Sequence, residues 1–263
     1  MKEANITIIG CGNLGKSILK GLTKNKESDN FHITVTKRNT SDLQHLNKCG
    51  VKVMTDNVKA IEKADLILLA LKPYNVLEVL RELAPTINPE NQVVVSLATG
   101  VSLEELQSTT GKETTVYRAM PNTAADVGSS ITCIASNHSS HDKLIEDCFN
   151  TIGSTIRIDE KLMDAATILG ACGVAFVLRF MRSMVHGGIQ IGFDSKTAST
   201  IVNQTVKGAA ELLISGGQHP EFEIDKVTTP RGCTIAGLNE MEHNGFSSAL
   251  IKGIVGSFDA IDS

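Results

Sequence analysis

The sequence predicts an α/β protein, with a doubly wound parallel sheet in residues 1–159 and an all-helical domain in residues 160–263. Three observations support this prediction. Short β-branched runs alternate with amphipathic segments through the first half, and a glycine-rich turn follows the first run. After residue 159 the chain changes to long segments rich in Ala, Gly, Leu, Ile and Met, with few strand signals.

The strands of the first domain follow one another at the spacing of βαβ units. A strand at residues 6–9 leads into a helix at 14–23, whose apolar residues recur on one face. Further strands are predicted at residues 32–36, 51–54, 65–71, 92–97, 114–117, 130–135 and 155–158. The runs at 65–71 and 92–97 are almost continuously apolar, as strands covered on both faces should be. We therefore expect a parallel sheet with right-handed crossovers.

The second domain is predicted to consist of four long helices, at residues 160–184, 195–215, 235–244 and 247–260. Their many small residues permit close approach of one helix to another. The longest apolar stretch, at residues 165–178, is too short to cross a bilayer, so no membrane partner is expected.

Composition excludes several other classes of protein. The net charge of −4 and the few aromatic residues (8 Phe, 2 Tyr, no Trp) argue against nucleic-acid binding. The six cysteines are scattered, without a CxxC pair or metal-ligand spacing, so no metal is expected. Because reduced thiols are typical of the cytoplasm and no signal-peptide core opens the sequence, we expect a cytoplasmic protein.

The most specific local motif is a G-x-G-x-x-G turn that directly follows the first strand and opens the first helix. It consists of Gly10, Cys11, Gly12, Asn13, Leu14 and Gly15. In this strand–turn–helix context the motif indicates a Rossmann-type dinucleotide site, because glycines let backbone N–H groups approach a pyrophosphate. The alternative is a glycine-rich turn without a ligand.

The residues after the second strand indicate which dinucleotide binds. NAD enzymes usually place an acid there for the ribose 2′-hydroxyl, whereas this chain has Lys37, Arg38 and Asn39. Two cations and an amide suit a 2′-phosphate, which favours NADPH over NADH. The alternative is a solvated basic turn.

Two further strand ends point to the nicotinamide half of the site, because ligands of doubly wound sheets bind beyond the strand carboxyl ends. The residues concerned are Ala70, Leu71, Lys72 and Pro73 at the end of the fourth strand and Leu97, Ala98 and Thr99 at the end of the fifth. The small residues among them leave room for the nicotinamide ribose and ring. Lys72 could contact the cofactor or substrate, or could equally be a solvated lysine at the strand end.

Two other segments are candidate substrate sites. Residues 118–123 include Met120, Pro121 and Asn122, although an Asx-type turn would also explain this run. Residues 228–234 end in Gly232, Cys233 and Thr234 and open a helix, whose free N–H groups could hold a carboxylate. An ordinary threonine cap is the alternative for the second segment.

Taken in order, these segments resemble the pyrroline-5-carboxylate reductase family over nearly the whole chain. The resemblance rests on residues 10–15, 56–57, 70–73, 96–100, 118–123 and, above all, 228–238. This chain departs from the family pattern at residues 170–176 and at Arg231, where the family usually has Ser-Gly-Ser-Gly-Pro-Ala-Tyr/Phe and a glycine. Arg231 could bind the substrate anion or point to solvent.

The resemblance implies an NADPH-binding domain, with NADH used by some members, and a helical dimerisation domain. Two subunits would intertwine their helices, each active site would lie between the first domain of one subunit and the helices of the other, and dimers could stack into larger rings. It also implies contacts of Asn57 with the adenosine end of the cofactor, and of Cys233 and Thr234 with the substrate carboxylate. The Thr234 hydroxyl would reach the ring nitrogen.

The implied reaction is reduction of Δ1-pyrroline-5-carboxylate to L-proline, the last step of proline biosynthesis, with Thr234 as the one catalytic residue. Two alternatives remain open. A related NADPH-dependent reductase could act on another cyclic imine or on a small 3-hydroxy acid, but the latter needs a lysine on the first long helix, where only Lys161 occurs. A non-catalytic NADPH-binding interaction protein would bind the cofactor without oxidising it.

Overall fold

A computed structural model describes residues 3–24 and 30–261. The predicted start of the first domain, residue 1, and the predicted end of the second, residue 263, lie outside the described residues. Eight strands form one sheet in the order β3-β2-β1-β4-β5-β6-β7-β8. The strands are β1 (Ala4–Ile9), β2 (Phe31–Thr36), β3 (Lys52–Met54), β4 (Leu66–Leu69), β5 (Val93–Ser96), β6 (Thr115–Met120), β7 (Ser130–Ser136) and β8 (Gly153–Arg157). Each predicted strand is confirmed, with its ends shifted by at most three residues.

One strand pair departs from the predicted parallel sheet. β7 runs antiparallel to β6, whereas the other neighbours pair in parallel. The connection between them spans only residues 121–129 and holds a 3-10 turn, Thr123–Val127. A parallel pair needs a crossover of about a dozen residues or more, so this short connection requires the reversed direction.

The central strands are buried on both faces, which explains their continuous apolar sequence. On β4, Leu66 and Leu68 pack into one hydrophobic cluster, while Ile67 and Leu69 pack into another on the opposite face of the sheet. All four side chains are fully buried. Each side chain contributes roughly 1.5–3 kcal/mol from apolar burial. The central strands therefore stabilise the sheet whose carboxyl ends form the candidate site.

The helices are α1 (Asn13–Lys24), α2 (Asn57–Ile61), α3 (Pro73–Leu83), α4 (Leu103–Thr110), α5 (Asp142–Asn150), α6 (Met163–Ala166), α7 (Gly173–Gln190), α8 (Ser195–Gly216), α9 (Pro220–Lys226), α10 (Cys233–His243) and α11 (Phe246–Asp259). The sequence analysis missed α9, which is only seven residues long and starts at a proline. The first predicted long helix continues to Gln190 and contains a six-residue π-helix, Thr167–Cys172.

The chain divides into two compact units, Met1–Val174 and Ala175–Ser263. The first contains the whole sheet and the second contains four of the helices, α8 to α11, with most of α7. The domain boundary that the change in composition predicts, between residues 159 and 160, remains a prediction.

The expectation that no apolar segment is long enough to cross a bilayer was wrong. Within the described residues, the helical stretch Glu160–Gln190 meets that test by length and composition. Counting consecutive apolar residues missed it, because Arg179 and Arg182 interrupt the run without ending the helix. Core helices of soluble proteins pass the same test, so this finding is weak evidence for a membrane.

Candidate active site

The glycine-rich turn lies at the carboxyl end of β1, beside β4, where the strand order reverses. The N–H groups of Gly10 and Cys11 both donate to the Thr36 carbonyl, at 3.1 and 3.0 Å. Gly10 has a φ of +89°, and a Cβ there would lie 2.8 Å from the Ala70 carbonyl oxygen. The fold itself therefore requires glycine at this position.

The other two glycines of the motif differ in what surrounds them. A Cβ on Gly15 would lie 2.8 Å from the Gly10 carbonyl oxygen, so close helix–strand packing excludes a side chain there. A Cβ on Gly12 would meet nothing within 4 Å. The protein packing thus gives no reason for glycine at position 12. An approaching ligand does, since a side chain there would cover the free N–H groups at the start of α1.

A cleft of about 590 Å³ opens over this turn. Ten predicted cofactor residues line it: Gly10, Cys11, Gly12, Lys37, Arg38, Asn39, Asn57, Ala70, Leu71 and Lys72. The sequence analysis missed the lining residues Ile9, Thr36, Asn75, Glu78, Val79 and Glu82. Asn75, Glu78 and Glu82 recur at helical spacing on α3, a signal that could have found them.

Seven predicted cofactor residues do not line this cleft. They are Asn13, Leu14, Gly15, Pro73, Leu97, Ala98 and Thr99. Asn13 begins α1 and Pro73 begins α3, so they fix the helix ends beside the cleft. Leu97 and Ala98 are buried past the end of β5. The contact of these residues with a cofactor remains a prediction.

The basic segment after β2 is not free of acid. Lys37 donates to both carboxylate oxygens of Asp42, at 2.9 and 2.8 Å, and Lys16 donates to the same carboxylate at 2.5 Å. These hydrogen bonds, from Lys16 first and then Lys37, hold the pKa of Asp42 well below its ordinary range. Arg38 is exposed and has no ion-pair partner in the part of the chain that the structure describes. Asp42 escaped the sequence analysis because it lies five residues beyond Lys37.

Cys11 is the one thiol in the cleft, and it is fully buried. Burial raises its pKa, although Lys16 and Lys37 oppose the shift. The thiol is therefore protonated at neutral pH and is no nucleophile. Among the described residues, no group of three or more His, Cys, Asp or Glu side chains could hold a metal ion.

The Asn122 side chain is engaged within the protein. Its Oδ1 accepts from the Ala124 N–H at 2.9 Å, as in an Asx turn, and its Nδ2 donates to the Gly170 carbonyl at 3.0 Å. Met120 and Pro121 are buried beside it. These contacts favour a structural role, since Asn122 joins the end of β6 to the π-helix. Substrate binding by the three residues remains a prediction.

Arg118 forms a buried ion-pair cluster that sequence reasoning did not identify. Its guanidinium lies 3.3 Å from Glu160 and 3.6 Å from Asp164, and its side chain is only 5% exposed. Glu160 also accepts from the Leu103 N–H at 2.6 Å. The cluster ties β6 and the start of α4 to the chain entering the long helix. Buried cations are stable only when paired in this way.

In the second unit, residues 229–232 form a turn ahead of α10. The Gly232 N–H donates to the Thr229 carbonyl at 2.9 Å, Pro230 is the second residue, and Arg231 has a φ of +59°. Gly232 is the N-cap of α10 without a side-chain cap, which leaves the N–H groups of Cys233 and Thr234 free of intrahelical partners.

Thr234 is half-buried in the first turn of α10, and its hydroxyl has no hydrogen-bond partner within the described residues. Free N–H groups and a hydroxyl at a helix N-terminus can hold an anion, because the helix dipole adds positive potential there. The segment can therefore bind a carboxylate.

Two family models match different parts of the chain. A family model described as pyrroline-5-carboxylate reductase dimerisation matches residues 160–262. A second model, described as NADP oxidoreductase, coenzyme F420-dependent, matches residues 5–100.

Individual proteins show similarity along the whole chain. Pyrroline-5-carboxylate reductase 1 of Dictyostelium discoideum is 42% identical over 98% of this chain, although the match covers only 49% of that longer protein. Pyrroline-5-carboxylate reductase 2 of the same organism is 38% identical over 95% of this chain and 90% of its own length. A crystal structure of Plasmodium falciparum pyrroline carboxylate reductase with NADP bound has a TM-score of 0.86 at 25% identity, covering 99% of this chain and 98% of that one.

Proposed function

The chain belongs to the pyrroline-5-carboxylate reductase family, and from that premise we propose that it reduces Δ1-pyrroline-5-carboxylate to L-proline with NADPH, NADH being the weaker alternative. The observation that carries the dinucleotide part is the environment of Gly12. A glycine that no protein atom requires stands at the mouth of a cleft that ends in Lys37 and Arg38. This arrangement fits a pyrophosphate and a 2′-phosphate.

In this proposal the first unit holds the cofactor. The N–H groups at the start of α1 would bind the pyrophosphate, Lys37, Arg38 and Asn39 the 2′-phosphate, and Asn57 the adenosine end. The nicotinamide half would lie against two strand ends, formed by Ala70, Leu71, Lys72, Pro73, Leu97, Ala98 and Thr99. When bound, NADPH supplies a hydride to the carbon of the substrate C=N bond.

The second unit would bind the substrate carboxylate. The N–H groups of Cys233 and Thr234 would hold it at the start of α10, where Gly232 leaves them uncovered. The Thr234 hydroxyl oxygen would accept a hydrogen bond from the protonated ring nitrogen and keep that proton in place, because an iminium accepts hydride more readily than an imine does. Such an imine is already basic, so no stronger acid is needed, and water would be the final proton source.

We further propose a cytoplasmic homodimer. All six cysteines are free thiols, which suits a reducing compartment. Large apolar side chains of the second unit are exposed, among them Leu178, Ile214 and Ile251 at 58, 77 and 60%. Exposure on this scale is typical of helices that are covered by another subunit.

The proposal is tested with purified protein, Δ1-pyrroline-5-carboxylate and NADPH or NADH, by following the absorbance of the reduced nicotinamide. We expect oxidation that depends on the substrate, is faster with NADPH and yields one proline per NADPH consumed. Parallel reactions with a six-membered cyclic imine carboxylate and with a 3-oxo acid, run as controls, should be much slower. Faster oxidation with either control would assign the chain to another reductase, and binding of NADPH without oxidation would exclude catalysis on these substrates.

A further inference from the structure

The charge at the basic end of the cleft is lower than the basic segment suggests. Lys37 and Arg38 bring two positive charges to the lining of this end of the cleft, and the Asp42 carboxylate contacts Lys37 and also Lys16, which does not line the cleft. Asp42 does not itself line the cleft, whereas Lys37 and Arg38 do. Because Asp42 lies outside the cleft lining, it is not placed like the acid of NAD enzymes, which accepts hydrogen bonds from the bound ribose.

The chain segments that carry Asp42 and Lys37 are both held by backbone contacts. Leu43, the next residue, is buried to 1% exposure, and its N–H donates to the Thr40 carbonyl at 2.9 Å. On the other side, the Lys37 N–H bonds to the Met54 carbonyl of β3 at 3.3 Å. The fold therefore holds the backbone of both chain segments that carry this contact.

We propose that Asp42 opposes binding of the cofactor 2′-phosphate by engaging Lys37 and Lys16, and so limits the preference of this protein for NADPH over NADH. The inference rests on the proposed dinucleotide site. Two effects have the same sign. A phosphate must compete with the carboxylate for the Lys37 ammonium, and the carboxylate charge repels a group that itself carries about −1.5 to −2.

The test is the substitution Asp42→Asn, which keeps the size of the side chain and removes its charge. Dissociation constants for NADPH and NADH are measured by fluorescence titration of the reduced nicotinamide in the full-length protein. At low ionic strength we expect NADPH to bind about fivefold more tightly, with NADH changed less than about twofold. The gain should shrink as salt is added, because salt screens the repulsion.

Glu113→Gln is the matched control. It removes the same charge from an exposed residue that has no ion pair in the described chain, and the residue lies before the amino end of β6, whereas Lys37 follows the carboxyl end of β2. A second variant, Asp42→Asn combined with Lys37→Met, asks whether the effect passes through Lys37. If it does, Asp42→Asn should raise NADPH affinity much less in the Lys37→Met background than in the parent protein.

Several results would overturn the inference. Unchanged or weaker NADPH binding by Asp42→Asn would show that the acid is neutral or that it positions Lys37 for the phosphate. An equal gain in Glu113→Gln would reduce the effect to net charge, and an equal gain for NADH would remove the 2′-phosphate from it. If the parent protein binds neither dinucleotide, the proposed function fails, and this inference with it.

Discussion

Arg231 adopts a left-handed backbone conformation, which is unfavourable for a residue with a side chain. It is the one described non-glycine residue with a positive φ, +59°, and it occupies the third position of a turn whose second residue is Pro230. Turns with a positive φ at this position strongly prefer glycine. The strain is not offset by any ion pair of the exposed side chain within the described residues.

Arg231→Gly should therefore raise the free energy of unfolding by about 1 kcal/mol, as measured by urea denaturation. The matched control is Arg231→Lys, which keeps both the Cβ and the charge and should leave stability unchanged. A loss of stability in the glycine variant would mean that the arginine side chain makes stabilising contacts.

Thr234 is the residue on which the proposed proton position depends. Thr234→Ala removes the hydroxyl and keeps the backbone N–H groups of α10, so kcat should fall by roughly 10²-fold or less while the substrate still binds. Thr234→Ser keeps the hydroxyl and should retain most of the activity. Unchanged steady-state kinetics in the alanine variant would remove Thr234 from the mechanism.

At the scale of elements, the turn between β1 and α1 contains one glycine that the packing requires, Gly15, and one that it does not, Gly12. Gly12→Ala meets no protein atom, so the free energy of unfolding should change by less than about 0.5 kcal/mol while NADPH binding weakens roughly tenfold or more. Gly15→Ala is the contrasting variant and should destabilise the fold by about 2 kcal/mol, because its Cβ meets the Gly10 carbonyl. Thermal unfolding and NADPH titration of both variants provide the check. Normal NADPH affinity in Gly12→Ala would contradict the proposed pyrophosphate site.

The strands were predictable from sequence because burial on both faces leaves a direct signal. The run at residues 66–71 is apolar throughout, since its side chains alternate between two cores. The direction of β7 was not predictable in this way, because β-branched residues look alike in parallel and antiparallel pairs. Only the length of the connection at residues 121–129 distinguishes the two.

The candidate site was predictable where the backbone creates it and not where side chains meet across the fold. The motif at residues 10–15 is recognisable from the spacing of its glycines. The contact of Lys16 with Asp42 spans 26 residues, and that of Arg118 with Glu160 spans 42. Neither pair has a local pattern, so charge counting after β2 gave a more basic site than the fold provides.

At the scale of the whole molecule, a cluster around the buried Tyr117 links stability to pH. The Tyr117 hydroxyl donates to Asp142 at 2.7 Å, and Arg157 forms an ion pair with the same carboxylate. Burial, together with the hydrogen bond to Asp142, raises the pKa of Tyr117 to about 12. At Asp142, burial raises the pKa, but the hydrogen bonds from Arg157 and Tyr117 outweigh it and lower the pKa.

The sign for Tyr117 follows from linkage. Its folded-state pKa lies above the unfolded value of about 10, so its contribution is complete below pH 10 and is lost as pH rises toward 12. Tyr117→Phe should cost about 1 kcal/mol at neutral pH and flatten the decline in unfolding free energy between about pH 10 and 12. Tyr74→Phe, at a side chain that is 80% exposed, is the matched control and should follow the parent curve. An unchanged alkaline slope in Tyr117→Phe would contradict the assignment.

The most direct test of the central claim follows the transferred hydrogen itself. NADPH that carries deuterium at the transferred position of nicotinamide C4 is incubated with the protein and Δ1-pyrroline-5-carboxylate, and the product is analysed by mass spectrometry and NMR. We predict L-proline with a single deuterium at C5, the former C=N carbon. Proline without deuterium, or no proline despite bound NADPH, would contradict the account.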